Sequence, residues 1–588
     1  MVKDNRKPNC KNRMDAAIMK KALQWAANDY FDDGFRSEIK HLIDKNDENE
    51  LTDRFYKDLE FGTGGLRGII GAGSNRMNVY TVRKASQGLA NYLLLNGGQS
   101  PSVAIAFDCR HFSDVFSRET ACVLAANGIQ VHLYRELRPV PMLSFTVREL
   151  GTTAGVVVTA SHNPAEYNGY KVYWSDGCQV TPPHDEGIIG EVNGIENFES
   201  VNWAPFETLF EKGVIQYVPD SIEEAYFTRV EALARGNREV NRNFGIVYTP
   251  LHGAGNYPVR EILKRRGFEQ VRIVTSQEEP DGAFSTVASP NPEEPTALKL
   301  AQEAAGDDDH LIMGTDPDAD RIGVMVRHEG EWVKINGNEI GQLMLAYYLE
   351  KLNEQQQLPD DGVFITTIVT SDLGREIAAS YGVETIETLT GFKYIGSVIR
   401  EMGETGKGTF IFGTEESHGY LFYDFVRDKD AVIAAMIFSE MCAELHQQGI
   451  SPIDQLDRIH RRFSFHSDSL VNKVIKGHEG AAKIGRIMEV LRESPPVKIG
   501  DVQVVSIRDY QKKEIVDCIE GRIAGETTLP TSNVLAFYMA DGSRITARPS
   551  GTEPKIKFYF NLKGTDRETL QKNRVAYEED FCRLIDSI

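Results

Sequence analysis

The chain is poor in three things, and each shortage excludes a class of protein. Its seven cysteines, at 10, 109, 122, 178, 442, 518 and 582, are scattered and form no C-x-x-C pair. That spacing argues against a zinc cluster and against a disulfide framework. No run approaches the roughly 20 consecutive apolar residues a membrane-spanning helix needs, and the stretch 1–13 is polar and charged, without an apolar signal core. A cytoplasmic location is the default expectation. Positive charge is also short: 65 Lys and Arg stand against 86 Asp and Glu, a net charge of −21. So acidic a chain repels nucleic acid and anionic membranes unless a local basic patch reverses the field, and neither is expected as a partner.

What is present is the profile of a soluble globular protein, 41% hydrophobic and 26% charged. At 588 residues the chain is too long for one core, and three to five domains are expected. Residues 14–60 carry apolar side chains at helical spacing (Ile18, Met19, Leu23, Trp25; Ile39, Leu42, Ile43), which suits packing rather than chemistry. A βα rhythm follows. Strands are predicted at 103–107, 129–134, 155–159, 244–249, 271–275, 310–314, 363–369 and 409–412, with helices between them. Asn168-Gly169 has the chemistry of a two-residue hairpin turn, with 170–174 returning as a strand. The C-terminal part differs: strands at 502–507, 534–539 and 555–561 and a closing helix at 566–585 make an α+β unit. The stretch 461–469 lacks periodicity and is the linker candidate.

Three predicted strands run directly into polar loops, at 161, 316 and 415. In open α/β sheets ligands sit beyond the carboxyl ends of strands. In the second loop Asp316, Asp318 and Asp320 alternate with Pro317 and Ala319. Carboxylates so close repel unless a cation neutralises them, and hard oxygen donors suit Mg²⁺. An EF-hand would need Gly and Glu where Arg321 and Arg327 stand, so that alternative fails; a solvated acidic turn is the plain one. Three carboxylates leave an octahedral ion short of ligands, which phosphate or water would complete.

Ser161 follows a buried strand and precedes His162-Asn163-Pro164, a turn-forming run. By itself it reads as a turn serine, and His162 as a loop histidine or a base. The run Arg548-Pro549-Ser550-Gly551-Thr552-Glu553-Pro554-Lys555 has the groups of a phosphate cradle, though not the spacing of a Walker loop. The loop 413–420 offers carboxylates and a hydroxyl suited to sugar hydroxyls, Thr390-Gly391-Phe392-Lys393 places a cation, and Gly64-Gly65-Leu66-Arg67-Gly68 reads as a glycine-rich turn carrying an arginine.

Together the segments G-T-G-G-L-R-G at 62–68, T-A-S-H-N-P at 159–164, D-P-D-A-D-R at 316–321, G-T-E-E-S-H-G-Y at 413–420 and R-P-S-G-T-E-P-K at 548–555 resemble the α-D-phosphohexomutase superfamily, the phosphoglucomutases and phosphomannomutases, in that family's order. The resemblance implies four domains around a central cleft, the first three βαβ-type with mixed sheets and the fourth α+β. Their expected spans are 1–212, 213–330, 331–462 and 463–588. It implies that Ser161 is a phosphoserine and contributes to a Mg²⁺ site with Asp316, Asp318 and Asp320. Lys171 and Arg321 would line the reacting phosphoryl group, with His162 and Arg67 nearby. Glu415 and Ser417 would hold sugar hydroxyls and Lys393 a phosphate; Arg548, Ser550, Gly551 and Thr552 would hold the phosphate that is not reacting. Residues 67, 171, 321, 393, 548 and 555 would supply the local positive field. A sugar monophosphate would pass through a bisphosphate, with glucose 1- and 6-phosphates the leading pair and mannose phosphates a possible addition. The order E-E-S-H-G and Phe392-Lys393 differ from phosphomannomutase-type patterns, and the N-terminal helical segment resembles the branch that also contains phosphopentomutases. A pentose mutase or a hexose-bisphosphate synthase is therefore the nearest alternative, ahead of a metal-dependent phosphatase or a non-catalytic sensor. Oligomeric state is not readable.

Overall fold

The computed structural model describes residues 16–62, 64–236, 239–475, 480–550 and 555–588. Gly551 and Thr552 of the expected phosphate cradle, and Thr63 of the first glycine-rich segment, lie outside the described residues.

Among the described residues, three mixed sheets are followed by an antiparallel one. In the first, Gly65–Ile69, Tyr167–Trp174, Ala154–Val158, Ser102–Phe107, Gln130–Leu133 and Ile215–Tyr217 lie side by side. The last four are parallel and the first two antiparallel. Ala154–Val158 is buried along its whole length because helices cover both faces, which is why it reads as an unbroken apolar run. The second sheet orders Glu331–Ile335, Ile322–His328, Asp309–Thr315, Gly245–Thr249 and Val271–Ile273; the third orders Glu384–Thr388, Gly362–Thr367, Thr409–Glu415 and Gly419–Leu421. The fourth runs Phe465–Val474, Lys555–Gly564, Arg544–Pro549, Leu535–Met539, Val502–Asp509, Glu514–Asp517 and Arg522–Glu526, with Lys498–Ile499 on Val502–Asp509. Helices Gly480–Glu493 and Arg567–Asp586 pack on it around Phe558, Phe560 and Phe581.

Ile215–Tyr217, just beyond the expected division after 212, pairs with the first sheet, and Glu331–Ile335, just beyond that after 330, with the second. Three expectations need correction. Asn168-Gly169 is not a hairpin turn but the interior of Tyr167–Trp174. Its glycine serves close approach instead: a Cβ at 169 would come within 2.4 Å of the Thr159 carbonyl oxygen. Arg67 sits on the strand Gly65–Ile69, opposite Gly169, rather than in a turn. The linker candidate 461–469 is the end of helix Pro452–Arg462 and the start of strand Phe465–Val474. That strand lies at the edge of its sheet and stays half exposed, so it mixes polar and apolar side chains without a regular apolar alternation.

Two features hold the sheets in fixed relation. The helix Ala431–Gln447 is buried on nearly every side and packs on both the second and third sheets, as its apolar sequence requires. Arg544, buried in the fourth sheet, donates at 2.7 Å to the carbonyl of Thr370, in the loop after the third-sheet strand Gly362–Thr367. At the other end, Asp32 and Asp47 cap the helices Asp33–Asp44 and Glu48–Phe55. These pack with Ala16–Ala27 around Trp25, Phe31, Phe55 and Tyr80. No described helix is long and apolar enough to cross a membrane.

Candidate active site

The strand Ala154–Val158 delivers Ser161 on a buried backbone turn with φ of 52°, a left-handed conformation that costs a non-glycine residue roughly 1–3 kcal/mol. Arg110 holds it there. Its buried guanidinium donates to the carbonyls of Ser161 (2.6 Å), Pro164 (2.9 Å) and Tyr167 (3.0 Å), and also to that of Asn163. Five donors in a rigid fork suit a loop whose carbonyls converge. Asp108 braces the same turn through Ser113 and Thr159, and the Thr159 hydroxyl accepts the Ser161 N–H at 2.8 Å.

The aspartate loop leaves the end of Asp309–Thr315. Asp316 Oδ1 accepts from the N–H groups of Asp320 and Arg321 at 3.1 and 3.0 Å, which closes the loop on itself. Gly253 lets the neighbouring loop lie against Pro317, where a Cβ would come within 2.5 Å of backbone. All three carboxylates are buried. Burial first, and then the neighbouring carboxylates, push the Asp316 carboxyl well up and Asp320 up. Burial also works against Asp318, but the Lys171 ammonium outweighs it and holds that carboxyl below its ordinary value.

These loops meet. Ser161 Oγ donates to Asp316 Oδ2 at 2.7 Å, and Lys171 Nζ donates to Asp318 Oδ2 at 2.8 Å. His162 Nδ1 lies 3.2 Å from Ser161 Oγ. With the serine hydrogen given to Asp316, that contact requires Nδ1–H as the donor. Burial, and then Arg321, hold the imidazole far below its usual pKa, so it is neutral. Arg321 pairs with Glu293 and approaches Asp320 at 3.7 Å. Arg67 reaches Asn163 Oδ1 at 3.3 Å, on the rim of the serine loop.

A cation fits the aspartate cluster. One oxygen from each of Asp316, Asp318 and Asp320 lies within 4.8 Å of the others. Asp318 Oδ1 and Asp320 Oδ1 are buried with no hydrogen-bond partner. Orphaned buried carboxylate oxygens are costly, and a hard cation is the partner that satisfies them.

From the third sheet, Glu415 is buried at the end of Thr409–Glu415 and accepts the Gly391 N–H at 2.7 Å; Ser417 is half buried in the turn after it. Lys393 lies in the first turn of helix Phe392–Thr405, where burial lowers its pKa and Asp185 opposes that shift. From the fourth sheet, Arg548 faces Glu416 together with Lys557. Burial and Glu415 raise the Glu416 carboxyl to about 7. The Ser550 N–H donates to the Lys555 carbonyl at 2.8 Å.

Sequence reasoning missed Arg110, Glu293 and Lys429. Lys429 Nζ lies 3.0 Å from Asp320 and 3.1 Å from Asp428. Burial works against its charge, but Asp320 and Asp428 raise its pKa above the ordinary value. Asp108-Cys109-Arg110 does follow a buried strand directly, the same signal that marked the other loops. Glu293 and Lys429 sit on segments with no such mark.

Models of the phosphoglucomutase/phosphomannomutase family match the chain in series: alpha/beta/alpha domain I at 58–199, domain II at 224–330, domain III at 336–461 and the C-terminal domain at 497–577. A protein named phosphoglucomutase from Staphylococcus haemolyticus is 36% identical over 525 residues, 89% of this chain and 94% of its own. Another of that name, from Staphylococcus epidermidis, is 37% identical over 537 residues, 91% and 96%. Among solved structures, parafusin (phosphoglucomutase) of Paramecium in its open form superposes with a TM-score of 0.64 at 18% identity, covering 88% of this chain and 94% of that one. At that identity the likeness speaks for the fold. Fold, site and relatives together define an isomerase, a mutase of phosphorylated sugars. The chain belongs to the phosphoglucomutase/phosphomannomutase family, with four domains, the first three built on mixed sheets and the fourth on an antiparallel one.

Proposed function

We propose that the protein interconverts glucose 1-phosphate and glucose 6-phosphate, with mannose phosphates as further substrates, by way of a phosphorylated Ser161 and a glucose bisphosphate. One observation carries the reading: the Ser161 hydroxyl, from the first sheet, meets Asp316 of the second at 2.7 Å inside a buried aspartate cluster. A hydroxyl held in a cluster that also contains the orphaned oxygens of Asp318 and Asp320 suits a phosphate carrier better than a hydrolytic nucleophile. The relatives named phosphoglucomutase support glucose as the sugar.

In this reading Asp316, Asp318, Asp320 and a phosphate oxygen on Ser161 would hold Mg²⁺, and the ion when bound supplies positive charge beside the phosphoryl group. Lys171 and Arg321 add charge from the protein, and His162 is a neutral imidazole within reach of Ser161 Oγ. The phosphoryl group passes from Ser161 Oγ to the free sugar hydroxyl; the bisphosphate reorients; its other phosphate returns to Ser161. Glu415 and Ser417 hold the sugar hydroxyls. Arg548, Ser550, Gly551, Thr552 and Lys393 hold the remote phosphate, and Arg67 borders the serine. Phosphoryl transfer needs mainly such positioning and charge neutralisation. The cradle-bearing fourth domain acts as a lid that keeps water from the phosphoserine. Four domains divided after residues 217, 335 and 462 leave every sheet whole.

The test is intact-mass measurement and peptide mapping of purified protein, followed by kinetics on glucose, mannose and ribose 1-phosphates. Phosphate on Ser161 with glucose preferred is the expected result. A strong preference for ribose would move the assignment to a phosphopentomutase, bisphosphate accumulation to a synthase, and free phosphate released at the rate of substrate loss to a phosphatase.

A further inference from the structure

We propose that His418 is a positioning residue: its ring fastens the sugar-binding loop to the exit of the metal-binding loop through Ile322. Burial leaves His418 only 5% exposed, in a left-handed conformation with φ of 62°. Its Nδ1 lies 3.0 Å from the Ile322 carbonyl oxygen. A carbonyl only accepts, so Nδ1 carries the hydrogen. The Ile322 N–H in turn donates to the His418 carbonyl at 3.3 Å, and Arg321 and Gly419 form the adjoining antiparallel bridge. The two loops, from the second and third sheets, are thus joined by one side chain and a short piece of backbone ladder.

The joint sits where slack would be felt. Asp316 accepts the N–H of Arg321, one residue before Ile322, while Glu415 and Ser417 lie within three residues before His418. No segment between them can absorb a shift, so movement at the His418–Ile322 contact displaces the sugar site relative to the aspartates. On its other side the loop is pressed against the start of helix Gly337–Glu354. A Cβ on Gly337 would come within 2.1 Å of the Glu416 carbonyl oxygen and 2.9 Å of the His418 ring. With that wall closed, the imidazole reaches Ile322 in one orientation. Loss of about 1 Å of registration between reacting groups costs on the order of 10²-fold in rate.

The inference rests on the proposed function, and the test separates the two. Asparagine tolerates left-handed backbone, and its Nδ2 stands near the place of the histidine Nδ1. Aspartate has the same shape without a donor, and glycine allows the backbone without a side chain. Melting temperature, kcat and KM for glucose 1-phosphate, and amide exchange at Ile322 are measured for His418→Asn, His418→Asp and His418→Gly. The expected result is His418→Asn within about threefold of the parent in kcat/KM, with the other two about 10²-fold lower while still folded and with faster exchange at Ile322. Parent-like activity in folded His418→Asp or His418→Gly, or a His418→Asn as impaired as His418→Asp, overturns the proposal. If the parent shows no mutase activity, the functional reading falls, and exchange at Ile322 still decides the fastening: slow in His418→Asn and fast in the other two supports it, equal rates overturn it.

Discussion

Ser161 Oγ and Asp316 Oδ2, 155 positions apart in the chain, are 2.7 Å apart in the fold. The contact joins two sheets, so neither loop can shift without the other. It places a hydroxyl of ordinary reactivity against a carboxylate that burial and two neighbouring aspartates push toward protonation. The arrangement asks for positive charge, and Lys171, Lys429 and Arg321 bring it to the neighbouring Asp318 and Asp320.

Ser161→Ala tests the carrier directly. Mutase activity should fall at least about 10⁴-fold, as for other removed nucleophiles, with no more than about 1–3 kcal/mol lost in stability from the donor taken from Asp316. A coupled assay for glucose 6-phosphate reads the loss, and activity within tenfold of the parent would show that phosphate does not travel through this residue.

Metal binding should appear as stability. An ion that binds only the folded chain adds about 2.7 kcal/mol when present at 100 times its dissociation constant. Thermal melts with and without Mg²⁺ should show an upward shift in the parent. In Asp318→Asn or Asp320→Asn the shift should need about 10–100 times more Mg²⁺, as when a metal site is perturbed.

Arg110→Met should do two kinds of damage. It removes donors to four carbonyls and leaves Asp108 buried 3.5 Å from a vanished guanidinium. Breaking a buried pair in this way costs about 3–5 kcal/mol, and release of the Ser161 turn should lower kcat about 10²-fold. Denaturant unfolding and kcat of the remaining folded protein separate the two.

The joint between the third and fourth sheets should weaken in acid. Glu376 accepts from Ser464 (2.8 Å) and Lys563 (2.6 Å) and lies 3.5 Å from His466; these partners, His466 foremost, bring its carboxyl down to about 2. A depressed carboxyl stabilises the fold fully above its ordinary value, near 4.5, and that stability is lost as pH falls from there toward 2. Melting temperature followed from pH 6 to pH 3 should decline less steeply in Glu376→Gln than in the parent.

Much of this was legible in the chain because chemistry and burial leave period and punctuation. Val156, Val157 and Val158 form the apolar run expected of a strand covered on both faces, and the alternation Asp316, Asp318, Asp320 marks a buried carboxylate cluster that a cation fits. What misled were residues whose role is set by a neighbour far along the chain. Gly169 looks like a turn glycine, but what it makes room for is the Thr159 backbone. The strand Phe465–Val474 looks like a linker because Lys555–Gly564 supplies the pairing its own polar residues do not announce.

The sequence by itself therefore determined the class of fold and marked the acidic, basic and hydroxyl-bearing loops, because covalent spacing and side-chain chemistry are local properties. Only the tertiary structure decided how those residues are held: Arg110 on the carbonyls around Ser161, Lys429 on Asp320, Glu293 on Arg321, and His418 on Ile322. The physical reason is the same in each case. A buried charge or donor is stable only where a partner meets it, and which partner arrives is settled by how sheets distant in sequence come to pack.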